Sequence, residues 1–439
     1  LGYGTAPFRA QGAKREAFGA LMEHHTGSTS RKLPEPIQLG AGSDSSRDST
    51  GTVVALAVLP PSATVPAVAA LMNRLRASGY AVAAHEVGTP VLMLTGVTGA
   101  EARALPEEEQ LVERVVIPDT KYRLARRDVR PEGTIVDVSG VQVGDGDFVV
   151  VAGPCAVESP AQLLTIARSV DAAGAVLLRG GAFKPRTSPY EFQGLGLDGV
   201  RTLEDVRGVT GMPFITEVMR PALVEQMRDM VDGFQVGARN MQNFDLLRAL
   251  AKADRPVLLK RNPGATAEEW LLAAEYLLAG GNDQVILCER GIRTFSTDTR
   301  YTLDLATMAL VKRSTHLPVI VDPSHATGDP TLIAPMARAA LAAGADGVMV
   351  EVHNDPASAL SDGFQALTPD ELSDLVAELK AMAALLGRAL TTRPSIAVDS
   401  PAVPHGGART ALTAASAANA DDASSSAATS TASPADSNS

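Results

Sequence analysis

At 439 residues, 45% of them hydrophobic, the chain has enough apolar material for one large domain and a smaller one. Its 39 basic and 50 acidic residues leave a net charge of −11, which excludes the basic footprint of a nucleic-acid or anionic-membrane binder and requires any anionic ligand to be held by locally gathered cations. Two cysteines, Cys155 and Cys288, do not make a disulfide framework, and no apolar run of about 18 residues is present to span a membrane.

In chain order, residues 1–51 mix Gly, Ser, Arg and Pro and read as a flexible arm without a secretory apolar region. A soluble protein in a reducing cytoplasm is the expectation; the sequence opens on Leu1 rather than Met, so its true start stays open. Residues 52–118 alternate in type. An apolar run (Val53 to Leu59) precedes a helical stretch (Thr64 to Ser78), two short runs (Tyr80 to Val87, Thr89 to Thr95), an acidic, alanine-bearing stretch (Gly99 to Glu109) and a last run (Leu111 to Ile117). That order, βαββαβ, predicts a small ferredoxin-like α+β domain. It holds no catalytic constellation and reads either as plain scaffold or as a ligand-sensing module.

Residues 119–147 follow as a linker and a hairpin. Asp119 to Pro131 is polar enough to let the small domain move, and Thr134 to Gly146 alternates Val with polar residues around Ser139-Gly140. From 148 to 388 the pattern changes to eight short buried strands, each followed by a helix-like stretch. The strands are Phe148–Ala152, Ala175–Arg179, Pro213–Glu217, Gly233–Gly237, Pro256–Lys260, Gln284–Cys288, Pro318–Asp322 and Gly347–Glu351. Near-continuous apolar runs require cover on both faces, so eight such units predict an α/β fold, a (β/α)8 TIM barrel, with a doubly wound open sheet as the alternative. The hairpin would cover the barrel floor. Residues 389–439 drift into Ala, Ser, Thr and Asp, too poor in apolar side chains to offset their ordering entropy, and predict a disordered tail.

Active sites of such barrels are built at the carboxyl ends of the strands. The eight runs close on Cys155, Arg179, Glu217, Arg239, Lys260, Arg290, His325 and Glu351. One charge after a strand is ordinary; eight reactive groups at one rim indicate a site. Arg179, Lys184, Arg186, Arg239, Lys260 and Arg290 would repel one another around a single cavity unless anions were bound there. Arginine forks suit phosphate and carboxylate and lysines act as point charges, which fits a substrate carrying both groups and a second, phosphorylated partner. Cys155, His325 and Glu351, joined by Asp362, offer thiolate, imidazole and carboxylates to one divalent metal ion, and softness alone does not choose among manganese, iron, cobalt and zinc. Their spacing is too dispersed for a zinc finger, so this reading needs the first, seventh and eighth strands brought together. Cys288 lies on the inward parity two residues before Arg290 and reads as core. Gly194-Leu-Gly196-Leu-Asp-Gly199 matches GxGxxG but follows no buried strand, so it is not a dinucleotide fingerprint, and there is no Walker A pattern.

Six segments resemble, in order, the motif series of the type I-beta 3-deoxy-D-arabino-heptulosonate 7-phosphate (DAHP) synthases. They are Arg179-Gly-Gly-Ala-Phe-Lys-Pro-Arg-Thr-Ser-Pro-Tyr-Glu-Phe-Gln-Gly-Leu-Gly196, Gln235-Val-Gly-Ala-Arg-Asn240, Leu258-Leu-Lys-Arg261, Ile286-Leu-Cys-Glu-Arg-Gly-Ile-Arg293, Val321-Asp-Pro-Ser-His325 and Val350-Glu-Val-His353. The resemblance covers about Thr52 to Gly387, and Lys184-Pro-Arg-Thr-Ser188 is its most specific piece, because the sister 3-deoxy-D-manno-octulosonate 8-phosphate synthases differ there. It implies condensation of phosphoenolpyruvate with erythrose 4-phosphate at the start of aromatic amino-acid biosynthesis. By the same resemblance, Cys155, His325, Glu351 and Asp362 would be the metal ligands. Arg179, Lys184, Arg239, Lys260 and Arg290 would bind phosphoenolpyruvate, helped by the backbone of Ala238 and by Glu217 through water. Pro185, Arg186 and Thr187 would meet erythrose 4-phosphate, and Lys184 would be the proton donor in a catalytic set with Arg179, Cys155 and His325. After Lys260-Arg261 the run Asn262-Pro-Gly-Ala265 departs from the family's usual loop and leaves that loop's contacts open. Relatives pair the small domain between subunits to bind an inhibitor and cover the barrel mouth, which implies a homo-oligomer, a tetramer, with an aromatic amino-acid effector. The rival expectations are an octulosonate synthase and a catalytically silent regulatory subunit.

Overall fold

The computed structural model describes residues 51–185 and 188–393. Nearly all of the predicted arm, most of the predicted tail, and Arg186 and Thr187 lie outside the described residues. The first six elements follow the predicted order: β1 (Thr52–Val58), α1 (Val65–Ala77), β2 (Ala81–Glu86), β3 (Pro90–Thr98), α2 (Gly99–Glu108) and β4 (Arg114–Val116). They form one antiparallel sheet in the order β2-β3-β1-β4, consistent with a ferredoxin-like arrangement. Local sequence fixes the helix starts: the Thr64 side chain caps α1, and Thr98 with Glu101 makes a reciprocal capping box on α2.

Alternation along β1 sends its side chains to two different cores. Ala55 and Ala57 pack beneath the two helices, whereas Leu56 and Val58, with Val87, Val91 and Val116, join the large core at Leu124, Ala125 and Val129. The segment expected to be a movable tether is pinned to the barrel. The Glu275 carboxylate accepts three successive backbone N–H groups, from Arg123 at 2.9 Å, Leu124 at 2.6 Å and Ala125 at 3.0 Å. The amide of Arg127 donates to the Ser314 carbonyl at 2.8 Å. The segment's polarity serves the barrel wall rather than water.

The predicted hairpin forms as β5 (Val136–Val138) and β6 (Val141–Val143), joined through Ser139 at φ 49° and Gly140 at φ 92°, the pair of positive angles that a tight hairpin turn needs. Then come β7 (Val149–Gly153), β8 (Leu177–Arg179), β9 (Phe214–Glu217), β10 (Gly233–Val236), β11 (Val257–Lys260), β12 (Val285–Glu289), β13 (Val319–Val321) and β14 (Gly347–Glu351). All neighbours are parallel, and β14 pairs with β7, which closes the barrel and eliminates the open sheet. Val136, Val138, Val141 and Val143 plug its floor against inward side chains that include Val151, Ile215, Leu258, Ile320 and the predicted core residue Cys288. Helices α3 (Pro160–Ala172), α4 (Leu197–Thr210), α5 (Pro221–Met227), α6 (Phe244–Leu250), α7 (Ala267–Ala279) and α8 (Leu305–Ser314) lie outside, the short α9 (Pro323–Thr327) sits at the barrel mouth, and α10 (Ile333–Ala342) and α11 (Pro369–Leu385) lie outside again. Residues 389–393, expected to belong to the tail, start alongside the barrel instead: Phe148 N donates to Ala389 O at 2.8 Å, and Thr391 N to Phe148 O at 3.0 Å. Among the described residues no helix is long and apolar enough to cross a membrane.

Candidate active site

The carboxyl ends of the barrel strands and the loops after them enclose a cavity of about 930 Å3, the size of a small-molecule site. Among the described residues its lining comes entirely from the barrel. Two glycines make room for the chemistry. Gly153 ends β7 at φ 151°, and a Cβ there would meet the Arg179 carbonyl at 2.1 Å, so glycine lets the first two strand ends converge. A Cβ on Gly237 would lie 2.0 Å from Glu217 Oε1.

One donor atom from each of Cys155, His325, Glu351 and Asp362 falls within 4.8 Å of the others. Cys155 Sγ lies 3.1 Å from Asp362 Oδ2 and 2.7 Å from Lys184 Nζ, which also donates to the Cys155 carbonyl at 3.0 Å. Glu351 Oε1 is 2.8 Å from Arg179 Nη1 and 3.3 Å from His325 Nε2. Its Oε2 accepts from Gln365 Nε2 at 2.5 Å, and Gln365 Oε1 in turn accepts from Arg300 Nη1 at 2.7 Å. His325 sits on the short helix α9, capped by the Asp322 carboxylate. Asp362 adopts φ 51° in the loop after β14, a left-handed conformation that costs a non-glycine residue strain.

Burial alone would raise the Glu351 carboxyl, but the charges of His325, Arg179 and Lys184 outweigh it and hold the group down at about 2. Burial, with Glu351 adding to it, pushes the Cys155 thiol up to about 12 against Lys184 and Arg179. A divalent cation among these donors would reverse the balance at sulfur, because it stabilises thiolate directly. A thiol, an imidazole and two carboxylates converging at this distance fit one such ion.

Arg179, Lys184, Arg239, Lys260 and Arg290 all line the same cavity, together with Pro185, Glu217 and Ala238. The Arg179 Nε is buried without a hydrogen-bond partner among the described residues, a costly state that an anionic ligand relieves. Arg239 Nη1 donates to the Pro185 carbonyl at 2.9 Å, and the Arg290 guanidinium lies 4.5 Å over the Tyr301 ring. Burial pushes the Glu217 carboxyl up, opposed by Lys184, Lys260, Arg179 and Arg239.

The structure thus brings together every described residue of the predicted site. Sequence reasoning missed Arg293, Arg300, Tyr301 and Gln235, which share the lining, and Asp322, which is fully buried behind it. Arg300 and Tyr301 stand on a long loop without periodicity, so no pattern gave them an address; Arg293 closes the resembling segment Ile286 to Arg293 but was given no role there. Asp322 did carry a signal: Asp followed by Pro is a helix-start signature, and it places His325 three residues on. The departing loop joins the site as well. Asn262 to Gly264 line the cavity, and Asn262 Nδ2 donates to the Ala238 carbonyl at 3.1 Å.

Residues 128–387 match the sequence profile of the DAHP synthetase I family, more than half of the chain. The chain belongs to this family. Members of the DAHP synthetase I family are aldolase-type transferases and generally metal-dependent. The phospho-2-dehydro-3-deoxyheptonate aldolase of Thermotoga maritima is 45% identical over 281 residues, 64% of this chain and 83% of that one. The crystal structure of the T. maritima DAHP synthase superimposes with a TM-score of 0.61 at 39% identity, over 77% of this chain and 99% of that chain. A 2-dehydro-3-deoxyphosphooctonate aldolase, from Syntrophotalea carbinolica, is more distant: 31% identical over 261 residues, 55% of this chain and 93% of that one.

Proposed function

We propose that the chain condenses phosphoenolpyruvate with D-erythrose 4-phosphate and water to give DAHP and inorganic phosphate, the 3-deoxy-7-phosphoheptulonate synthase step that opens the shikimate pathway. The observation that carries this reading is the meeting, in one barrel-mouth cavity, of a four-donor cluster, four strand-end cations and Lys184 from the loop after β8. The greater identity to a heptulosonate than to an octulosonate relative supports the choice of aldehyde.

In this reading Arg179, Lys184, Arg239, Lys260 and Arg290 hold the carboxylate and phosphate of phosphoenolpyruvate, with the Ala238 backbone and Glu217, through water, beside them. Pro185, Arg186 and Thr187 meet erythrose 4-phosphate, the last two at its phosphate. Cys155, His325, Glu351 and Asp362 hold the metal, which when bound supplies Lewis acidity at the aldehyde oxygen; manganese, iron, cobalt and zinc all suit the donor set. The arginines fix the enol so that its third carbon faces the carbonyl carbon, converting an encounter into an oriented approach. Lys184 Nζ, 2.7 Å from Cys155 Sγ, is near enough to the cluster to deliver a proton to the developing alkoxide. Water adds at the second carbon, and collapse of that adduct releases phosphate by carbon–oxygen cleavage.

Residues 52–118 serve as an effector domain for an aromatic amino acid in a homo-oligomer, a tetramer. In support, the domain stands apart from the cavity and rests on the barrel flank, where β2 packs against α7 and Arg130 reaches the Val87 carbonyl. Covering a mouth therefore falls to a neighbouring copy. Two buried free cysteines suit a cytoplasmic setting. The test is phosphate release from phosphoenolpyruvate with erythrose 4-phosphate against a pentose 5-phosphate, with and without chelator. Chelator-sensitive turnover with the four-carbon aldehyde is expected; preference for the pentose phosphate, or full activity in chelator, overturns the reading.

A further inference from the structure

Between the donor cluster and the cations lies one carboxylate with no solvent exposure, Asp322. It follows β13 and caps α9, its Oδ1 accepting from His325 N at 3.0 Å. Its Oδ2 lies 2.8 Å from His325 Nδ1, close enough for an ion pair though not aligned for a hydrogen bond, and meets the Lys260 ammonium as well. The other ring nitrogen of His325, Nε2, lies on the cluster side, 3.3 Å from Glu351 Oε1. With a small turn of the ring the carboxylate would accept the Nδ1 proton, which leaves the Nε2 lone pair for the cluster and fixes the ring's rotation, the arrangement that raises the basicity of a ligating histidine. Lys260 is just as buried, at the end of β11, and its flexible stem has many rotamers unless the ammonium is anchored. Capping explains Oδ1. It does not explain why Oδ2 is shared between a cluster residue and a cavity cation.

We infer that Asp322 is a positioning residue serving both halves of the site: it sets His325 Nε2 toward the metal and holds Lys260 toward the phosphoenolpyruvate anion, without touching either ligand. This deepens the proposed function and rests on its metal and anion assignments. One carboxylate then ties the two binding events to a single rigid point, so that loosening it damages both.

The full-length chain carrying Asp322→Ser or Asp322→Asn tests this, since both residues still cap a helix but lack the carboxylate. Cobalt affinity, measured by competition with a chromophoric chelator in the absence of substrate, should fall about 10–100-fold, with shifted cobalt ligand-field bands. Phosphoenolpyruvate affinity at saturating cobalt should weaken about tenfold or more. Lys260→Met should weaken phosphoenolpyruvate alone and leave substrate-free cobalt binding unchanged, which separates the two arms. Cys155→Ala and His325→Ala check the cluster itself: wild-type cobalt affinity in both would remove the metal assignment on which the inference stands. If those two lose cobalt while both Asp322 variants bind it with wild-type affinity and unchanged bands, the role given to Asp322 is wrong. A measurement without variants decides the same point: in the zinc-loaded wild-type chain the long-range 1H–15N imidazole spectrum should show His325 protonated at Nδ1, and a ring bare at Nδ1 overturns the inference.

Discussion

Arg239 and Arg186 illustrate how a cavity crowded with positive charge divides its work. Arg239 stands just beyond β10 and its guanidinium is braced on the Pro185 carbonyl, so it faces the anion that the strand ends gather. Arg186 lies outside the described residues, and its assignment comes from the Lys-Pro-Arg-Thr-Ser run alone. Removing a charged partner from a desolvated anion typically costs about 2–5 kcal/mol. Arg239→Ala is therefore expected to weaken phosphoenolpyruvate and Arg186→Ala to weaken erythrose 4-phosphate, each at least about tenfold, in separate initial-rate titrations of the two substrates. Small, equal changes in both would end the division of labour. The site residues that were legible in the sequence are those that close an apolar run, because register alone delivers them to the rim. Gln365 acts one step behind that rim, through contacts such as the 2.7 Å bond it accepts from Arg300 across 65 residues, and no local pattern encodes those.

At the scale of elements, the eight strands were readable to within two residues, the widest miss being β8, which starts at Leu177 rather than Ala175, because each must be apolar on both faces. The connecting segment was not readable. Its partner Glu275 lies about 150 residues away, so polarity that looked like a solvated tether is polarity matched to the barrel wall. The same seam holds His316, which is 1% exposed at the foot of β13. One ring nitrogen is 2.8 Å from the Leu124 carbonyl and the other 2.7 Å from Thr134 Oγ1. Burial lowers its pKa from 6.5 to about 4, with Arg130 and Arg127 adding to the effect and the Leu124 carbonyl opposing it. Because the folded value lies below the unfolded one, the neutral ring's contribution is full above pH 6.5 and is lost as the pH falls through 4. The shift corresponds to about 3 kcal/mol at most. Denaturant midpoints of the wild type should fall across that window, and His316→Gln should flatten the fall. Identical pH slopes in the two proteins would show that the acid sensitivity arises elsewhere.

For the whole molecule, the question is what the small domain does for the barrel, and the packing gives two answers to weigh. Leu56, Val58, Val87, Val91 and Val116 share a core with Leu124, Ala125 and Val129, so removing the domain uncovers apolar surface that costs roughly 25 cal/mol per Å2 in water. Against that, none of the described cavity lining comes from residues 52–118, and the connecting segment has its own anchor in Glu275. The catalytic machinery should outlast the loss of the domain, with some loss of stability and solubility. If the domain is the effector site, inhibition requires only that the effector prefer one arrangement of domain and barrel, and a coupling of about 1–3 kcal/mol gives clear inhibition while substrate still binds. A chain beginning near Asp119 is thus expected to turn over phosphoenolpyruvate and erythrose 4-phosphate, to unfold at lower temperature than the full chain, and to ignore tyrosine and phenylalanine. Steady-state rates with each amino acid added, run beside thermal unfolding of both proteins, read all three outcomes. A folded, active truncation still inhibited by either amino acid would move the effector site onto the barrel. A folded but inactive one would mean that residues 52–118 reach an active site after all, and because those of the same chain do not line its cavity, the contribution would have to come from a second copy.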